Sequence, residues 1–155
     1  MDRSEIQSIL KNCELFEEFE EQDLAGIADL CRVKIYKTGE DVFRQGDFGE
    51  NLYIIVDGRV VLERAIDLGT RKGSVVIKML RKGMLFGCWS ALLDDPQNFM
   101  SSAFCEKPTS ALVLKGSDLR IMMNNDAEFG FKVLQRLCFL LRDRIQSAYG
   151  AMEKI

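Results

Sequence analysis

Residues 39–62 read GEDVFRQGDFGENLYIIVDGRVVL, and glycines at 39, 46, 49 and 58 cut this stretch into short, strongly β-prone runs. Glycine reaches backbone angles closed to other residues, so runs broken in this way mark strands joined by tight turns. The Asp57-Gly58 pair between two apolar runs predicts a hairpin turn. Leu52–Val56 is apolar at every position instead of every second one, which predicts a strand covered on both faces.

The same texture extends from Val33 to Leu114. Val33–Tyr36, Val42–Phe43, Leu52–Asp57, Val60–Arg64, Val75–Leu80, Ser101–Cys105 and Ala111–Lys115 are the candidate strands. Short strands at this spacing predict an antiparallel sandwich or barrel, not βαβ units. Ile66–Ser74, with Gly69 and Gly73 around Arg71 and Lys72, reads as an exposed hairpin loop.

Helical spacing brackets the strands. Ser4 followed by Gln7 fits a capping box, with Ile6, Ile9, Leu10 and Cys13 on one stripe; Leu24, Ile27, Ala28 and Cys31 repeat the pattern. Two short amphipathic helices before residue 32, packed on the barrel, are the expectation. Ser117 is placed to cap a short helix through Met123, and Asp126 a longer one to about Tyr149. Along the longer helix Leu134, Cys138, Leu141, Ile145, Ala148 and Met152 alternate by four and three, a seam suited to pairing with a second copy. Val133, Leu137 and Leu140 form a second strip beside it. We assign one strip to the barrel and the other to a homodimer contact; the alternative is one wide face buried within the monomer.

A chain of 155 residues, 47% of them apolar, is expected to form one domain over 1–155: helices in 1–32, barrel in 33–115, helices in 117–155. The polar start MDRSEIQ and the shortness of every apolar run predict no signal peptide, no membrane association and a cytoplasmic location. A net charge of −3 argues against a dedicated nucleic-acid surface, and Arg71–Lys72, Arg81–Lys82 and Arg142–Arg144 read as solvated faces. Cys13, Cys31, Cys88, Cys105 and Cys138 lack close pairing and read as reduced, mostly buried thiols. The chain has no histidine, which removes the commonest metal ligand and general base. The expectation is therefore no catalytic residue, no metal and no cofactor.

Gly39, Glu40, Phe43, Gly46, Asp47, Leu52, Tyr53, Ile55, Gly58, Val60 and Leu62, followed by Lys82-Gly83 and Phe86-Gly87, resemble the cyclic-nucleotide-binding domain of the catabolite-activator (Crp/Fnr-like) superfamily. The resemblance covers most of the chain. It implies a mainly β fold with flanking helices: an antiparallel double-stranded β-helix, or jelly-roll barrel, with N-terminal helices and a long C-terminal helix. It also implies a regulatory, non-enzymatic sensor in which the helix around Leu134–Met152 is the output element. No helix-turn-helix domain, and so no DNA reading, is expected beyond Ile155.

In that family a phosphate-binding cassette runs Phe-Gly-Glu, a small or apolar stretch, then Pro-Arg. Here the segment from Phe86 to Phe99 is FGCWSALLDDPQNF. Phe86, Gly87 and Pro96 match, whereas Cys88 replaces the ribose-binding glutamate and Gln97, or Asn98 in a register shifted by one, replaces the arginine. The resemblance thus puts the ligand site at Phe86, Gly87, Cys88, Trp89, Ser90, Gln97, Asn98 and Phe99. No basic residue occurs from 83 to 106, Asp94 and Asp95 worsen the field for an anion, and bulky Phe99 and Met100 are expected to fill the cavity. Each charge-assisted hydrogen bond contributes ~1.5–3 kcal/mol, so losing both contacts weakens cyclic-nucleotide binding on the order of a thousandfold.

Several readings stay open on sequence alone. The pocket is vestigial in a dimeric docking module, or holds a different neutral or flat ligand against Trp89, Phe99 and Cys88. Cys88 is a thiol sensor at a helix N-terminus, or simply a buried cysteine. A cyclic nucleotide or dinucleotide is bound through non-standard contacts. A cupin-like enzyme would need a histidine-rich metal centre, and an iron–sulfur or haem sensor a ligand cluster that five scattered cysteines do not form.

Overall fold

In the computed structural model, which describes residues 1–155, two short helices precede eight strands and two helices follow them. The order is α1 (Arg3–Lys11), α2 (Glu21–Ala28), β1 (Arg32–Tyr36), β2 (Asp41–Phe43), β3 (Asn51–Asp57), β4 (Val60–Asp67), β5 (Lys72–Leu80), β6 (Leu85–Gly87), β7 (Ser102–Cys105), β8 (Thr109–Lys115), α3 (Gly116–Asn125) and α4 (Ala127–Met152). A short 3-10 helix, Trp89–Leu93, lies between β6 and β7.

The strands form two antiparallel four-stranded sheets, β1-β8-β3-β6 and β2-β7-β4-β5. Between them lies a core containing Tyr36, Phe43, Tyr53, Ile55, Leu62, Phe86 and Val113. A second core joins Leu52, Ile54, Leu112 and Leu114 to the helices through Leu10, Phe16, Ile27, Leu119 and Leu137. Strand β3 explains the unbroken apolar run: Tyr53 and Ile55 face the other sheet, while Leu52 and Ile54 face the helices. The expected jelly-roll barrel with flanking helices is what forms.

Local turn chemistry departs from expectation in four places. Asp57-Gly58 closes no hairpin, because β3 pairs with β6 and β8 whereas β4 pairs with β5 and β7. The pair instead carries the chain from one sheet to the other. Gly58 has φ +114°, and a Cβ there would meet the Pro108 carbonyl at 2.7 Å. Helix α1 is capped by Asp2 rather than Ser4: its carboxylate accepts from Glu5 N at 2.9 Å, and Asp2 N donates to Glu5 Oε2 at 3.1 Å. The D-x-x-E box is the same device two residues earlier, with charge favouring the helix N-terminus.

Ser117 caps nothing; α3 starts at Gly116, whose N–H donates to Glu50 O at 2.9 Å in place of a side-chain cap. Much of the segment 66–74 is strand, not loop: Ile66 opposes Gly73 and Asp67 opposes Lys72, leaving only Leu68–Arg71 as the turn. Backbone pairing extends this hairpin without burial, so no hydrophobic alternation announces it. Asp126 caps α4 as expected, accepting from Phe129 N at 3.1 Å.

All five cysteines are free; Cys13, Cys88 and Cys105 are buried, Cys31 is half-buried and Cys138 exposed. No helix is long and apolar enough to cross a membrane.

Candidate functional site

Strand β6 delivers the chain to Gly87, where φ is +125° and a Cβ would sit 2.5 Å from Asn51 O. Only glycine fits there. Cys88 N then donates to the same carbonyl at 2.9 Å, and the 3-10 helix follows, closing at Asp94 in the left-handed region (φ 59°). The next segment is zipped to the glycine-rich loop before β3. Gly49 N donates to Gln97 O at 3.1 Å, Phe99 N to Asp47 O at 2.8 Å, and Gly46 N to Phe99 O at 2.8 Å. The turns at Gly46 and Gly49 therefore brace the 97–99 segment, which lines the site.

These segments enclose a cavity of about 590 Å³, of the size that holds a small organic ligand. All eight residues expected from the cassette line it: Phe86, Gly87, Cys88, Trp89, Ser90, Gln97, Asn98 and Phe99. Helix α4 supplies the opposite wall with Leu141, Ile145 and Ala148, three residues of the seam assigned to dimerisation. Of the other three, Leu134 packs on the helical core, whereas Cys138 and Met152 are exposed outside the cavity.

Phe99 does not fill the space. Its ring stacks on Phe43 at 3.7 Å with 7° between planes and forms part of the floor, and Met100 stands 75% exposed at the mouth. Cys88 is buried; its Sγ lies 3.2 Å from Ser90 Oγ and donates to Gln97 O at 3.6 Å. Gln97 turns its amide to Asp95, donating at 3.0 Å. Neither position offers a charge to the cavity.

Two cations nevertheless line it, from elements distant in sequence. Arg64 on β4 donates to the Met100 carbonyl and pairs with no carboxylate. Arg144 on α4 corrects the reading of 142–144 as a solvated face, since its side chain is only 10% exposed. It donates to Glu14 Oε1 and Leu85 O at 2.8 Å each and to Asp143 Oδ2 at 2.6 Å. Glu14 Oε1 also accepts from Leu85 N at 2.8 Å, so one clamp ties α4, the α1–α2 connection and β6 together. Lys78 completes it, donating to Asp143 at 2.8 Å; that hydrogen bond, then those from Arg144, hold the Asp143 carboxyl below its usual range.

The cation-free window 83–106 was thus legible, but it describes one wall. No pattern around Arg64 or Arg144 marks them, because their place depends on long-range contacts. No aspartate or glutamate lines the cavity, and no group of three or more Cys, Asp or Glu side chains is arranged to hold a metal ion.

The family model for the cyclic nucleotide-binding domain matches residues 33–126. A cAMP-dependent protein kinase regulatory subunit from Schizosaccharomyces pombe is 27% identical over 143 residues, covering 84% of this chain and 33% of that protein. Among solved structures, a cyclic nucleotide-binding domain from Methylobacillus flagellatus superposes with TM-score 0.79 at 25% identity, covering 99% of this chain and 84% of that one. The catabolite activator protein of Thermus thermophilus gives TM-score 0.71 at 26% identity, over 90% of this chain and 62% of that one. The chain spans 9% to 33% of the length of the curated relatives it matches. By the match over residues 33–126 and by its fold, this chain belongs to the cyclic nucleotide-binding domain family.

Proposed function

We propose that this domain is a non-enzymatic, ligand-sensing regulatory module that does not use the family's ribose and phosphate contacts, and that α4 carries its output. One observation supports this most: the cassette residues and α4 line the same cavity, with neutral Cys88 and Gln97 at the two positions that matter for a cyclic nucleotide. A ligand bridging these walls shifts α4 only in so far as it binds two helix positions unequally. The thiol of Cys88 donates to a backbone carbonyl, which favours a wall residue over a reactive thiolate. We also propose a homodimer through the outer face of α4.

Calorimetric titration with cyclic AMP, cyclic GMP and cyclic dinucleotides is the direct test. Weak or undetectable binding is expected. Micromolar or tighter binding of cyclic AMP would sink the proposed loss of nucleotide recognition. Arg64 favours one second reading, nucleotide binding through a non-standard cation, and the same titration decides between them.

A further inference from the structure

We infer that the cavity takes a ligand with an apolar body and a single anionic group, of the carboxylate or sulfonate class, with the anion held by Arg64. This rests on the reading of the cavity as a ligand site. Its walls are Phe43, Leu62, Ile77, Phe86, Trp89 and Leu141, with further apolar groups around them, so most of any occupant is met by carbon. The stacked Phe43–Phe99 pair offers a flat floor.

Charge on the lining is of one sign. Arg64 and Arg144 contribute guanidinium groups, and no carboxylate faces them across the cavity. Arg144 is neutralised from behind by Glu14 and Asp143, although its Nε is a buried donor with no acceptor. Arg64 has no carboxylate partner and spends one Nη1 contact on the Met100 carbonyl, leaving donors for a forked bond to an anion. A sugar is poorly served, because the family's hydroxyl-accepting carboxylate is replaced by Cys88, whose thiol donates to Gln97 O. Apolar walls, one cation without a carboxylate partner and no carboxylate to accept from a ribose together select an amphipathic monoanion.

The test uses two fluorescent probes with the same ring system, 1-anilinonaphthalene-8-sulfonate and the uncharged N-phenyl-1-naphthylamine, on the whole chain. The sulfonate is expected to bind about threefold to fivefold more tightly than the neutral probe, as a charge-assisted contact to the exposed Arg64 guanidinium allows. Arg64→Gln should bring the ratio close to one and leave the neutral probe unchanged. Ala148→Trp, or Ile77→Trp from the opposite wall, should abolish binding of both, with circular dichroism confirming the fold. Equal affinities in the unmodified protein, or an unchanged ratio in Arg64→Gln, would overturn the inference and leave the cavity as a site for neutral ligands. Binding of both probes that ignores both tryptophan variants would overturn the site itself. Cyclic AMP binding more tightly than the sulfonate would overturn the ligand class.

Discussion

At Gly87 a single hydrogen atom decides whether the site exists. The backbone is left-handed there and its Cα faces Asn51 O, so Gly87→Ala combines a strained φ with a clash at 2.5 Å. The strain alone costs about 1–3 kcal/mol. Urea unfolding should show a lower midpoint with an unchanged m-value; an unaltered midpoint would mean that the strand β6 turn relaxes freely. Cys13 and Cys31 give a second residue-level prediction. Burial pushes both thiols up to about 12 from an ordinary value of 9.0. Above pH 9 the unfolded chain loses these protons while the folded one keeps them. Their contribution is therefore complete below pH 9 and is lost as pH rises towards 12, at about 1.4 kcal/mol per pH unit for each thiol. Cys13→Ala lowers overall stability but should flatten the alkaline slope of the melting temperature; an equally steep slope would remove Cys13 as a cause. Sequence alone marks Gly87, because a glycine after Phe86 belongs to a recognisable motif. The burial of Cys13 is legible too, from its place on the stripe of Ile6 and Leu10, although α1 ends at Lys11 and Cys13 lies just beyond its cap.

Helix α4 is held over the cavity by a clamp whose members are far apart in the chain. Glu14 and Arg144 are 130 residues apart, and Leu85 sits between them beside the cassette. Removing one partner of such a largely buried pair costs about 3 kcal/mol, with the part-exposed Glu14 keeping the loss at the lower end of what buried pairs show. Arg144→Met should raise hydrogen exchange across 141–152 while the stretch from Ala127 to Leu137, anchored by Phe129 and Val133 in the core, keeps its protection. Uniform exchange along the helix would show that the clamp does not fix its last turns. Legibility at this scale follows the range of the cause. Strand β3 is evident because burial on both faces writes apolar residues at every position, and α4 because its cap and period are local. Strand β6 goes unseen, since three residues carry no alternation to detect. The crossing at Gly58 is misread as a hairpin because Asp-Gly serves both geometries, and only the sheet assignment of β4 separates them. Arg64 and Arg144 are invisible for the same reason: nothing near them in sequence announces the cavity.

Taken as a whole, the molecule buries one side of α4 and leaves a row of large apolar groups on the other. Phe131, Ile145, Tyr149 and Met152 are 66%, 52%, 66% and 62% exposed, with Cys138 between them. At 3.6 residues per turn these five positions fall within about 60° of one another around the helix. Single exposed apolar residues are ordinary on a protein surface, but a row along one helix supports the proposed homodimer contact. Ile145 belongs to this row and also lines the cavity, so a ligand that moves it alters the outer face as well. We expect two copies to meet there. Sedimentation velocity should give twice the 17.6 kDa chain mass, and Phe131→Glu combined with Tyr149→Glu should return a monomer with unchanged far-ultraviolet circular dichroism. Both substituted side chains are exposed, so the fold has no reason to change. A monomeric unmodified protein at its highest soluble concentration would refute pairing through this face. A double variant that remains dimeric would locate the contact elsewhere and sever the proposed route from cavity to partner.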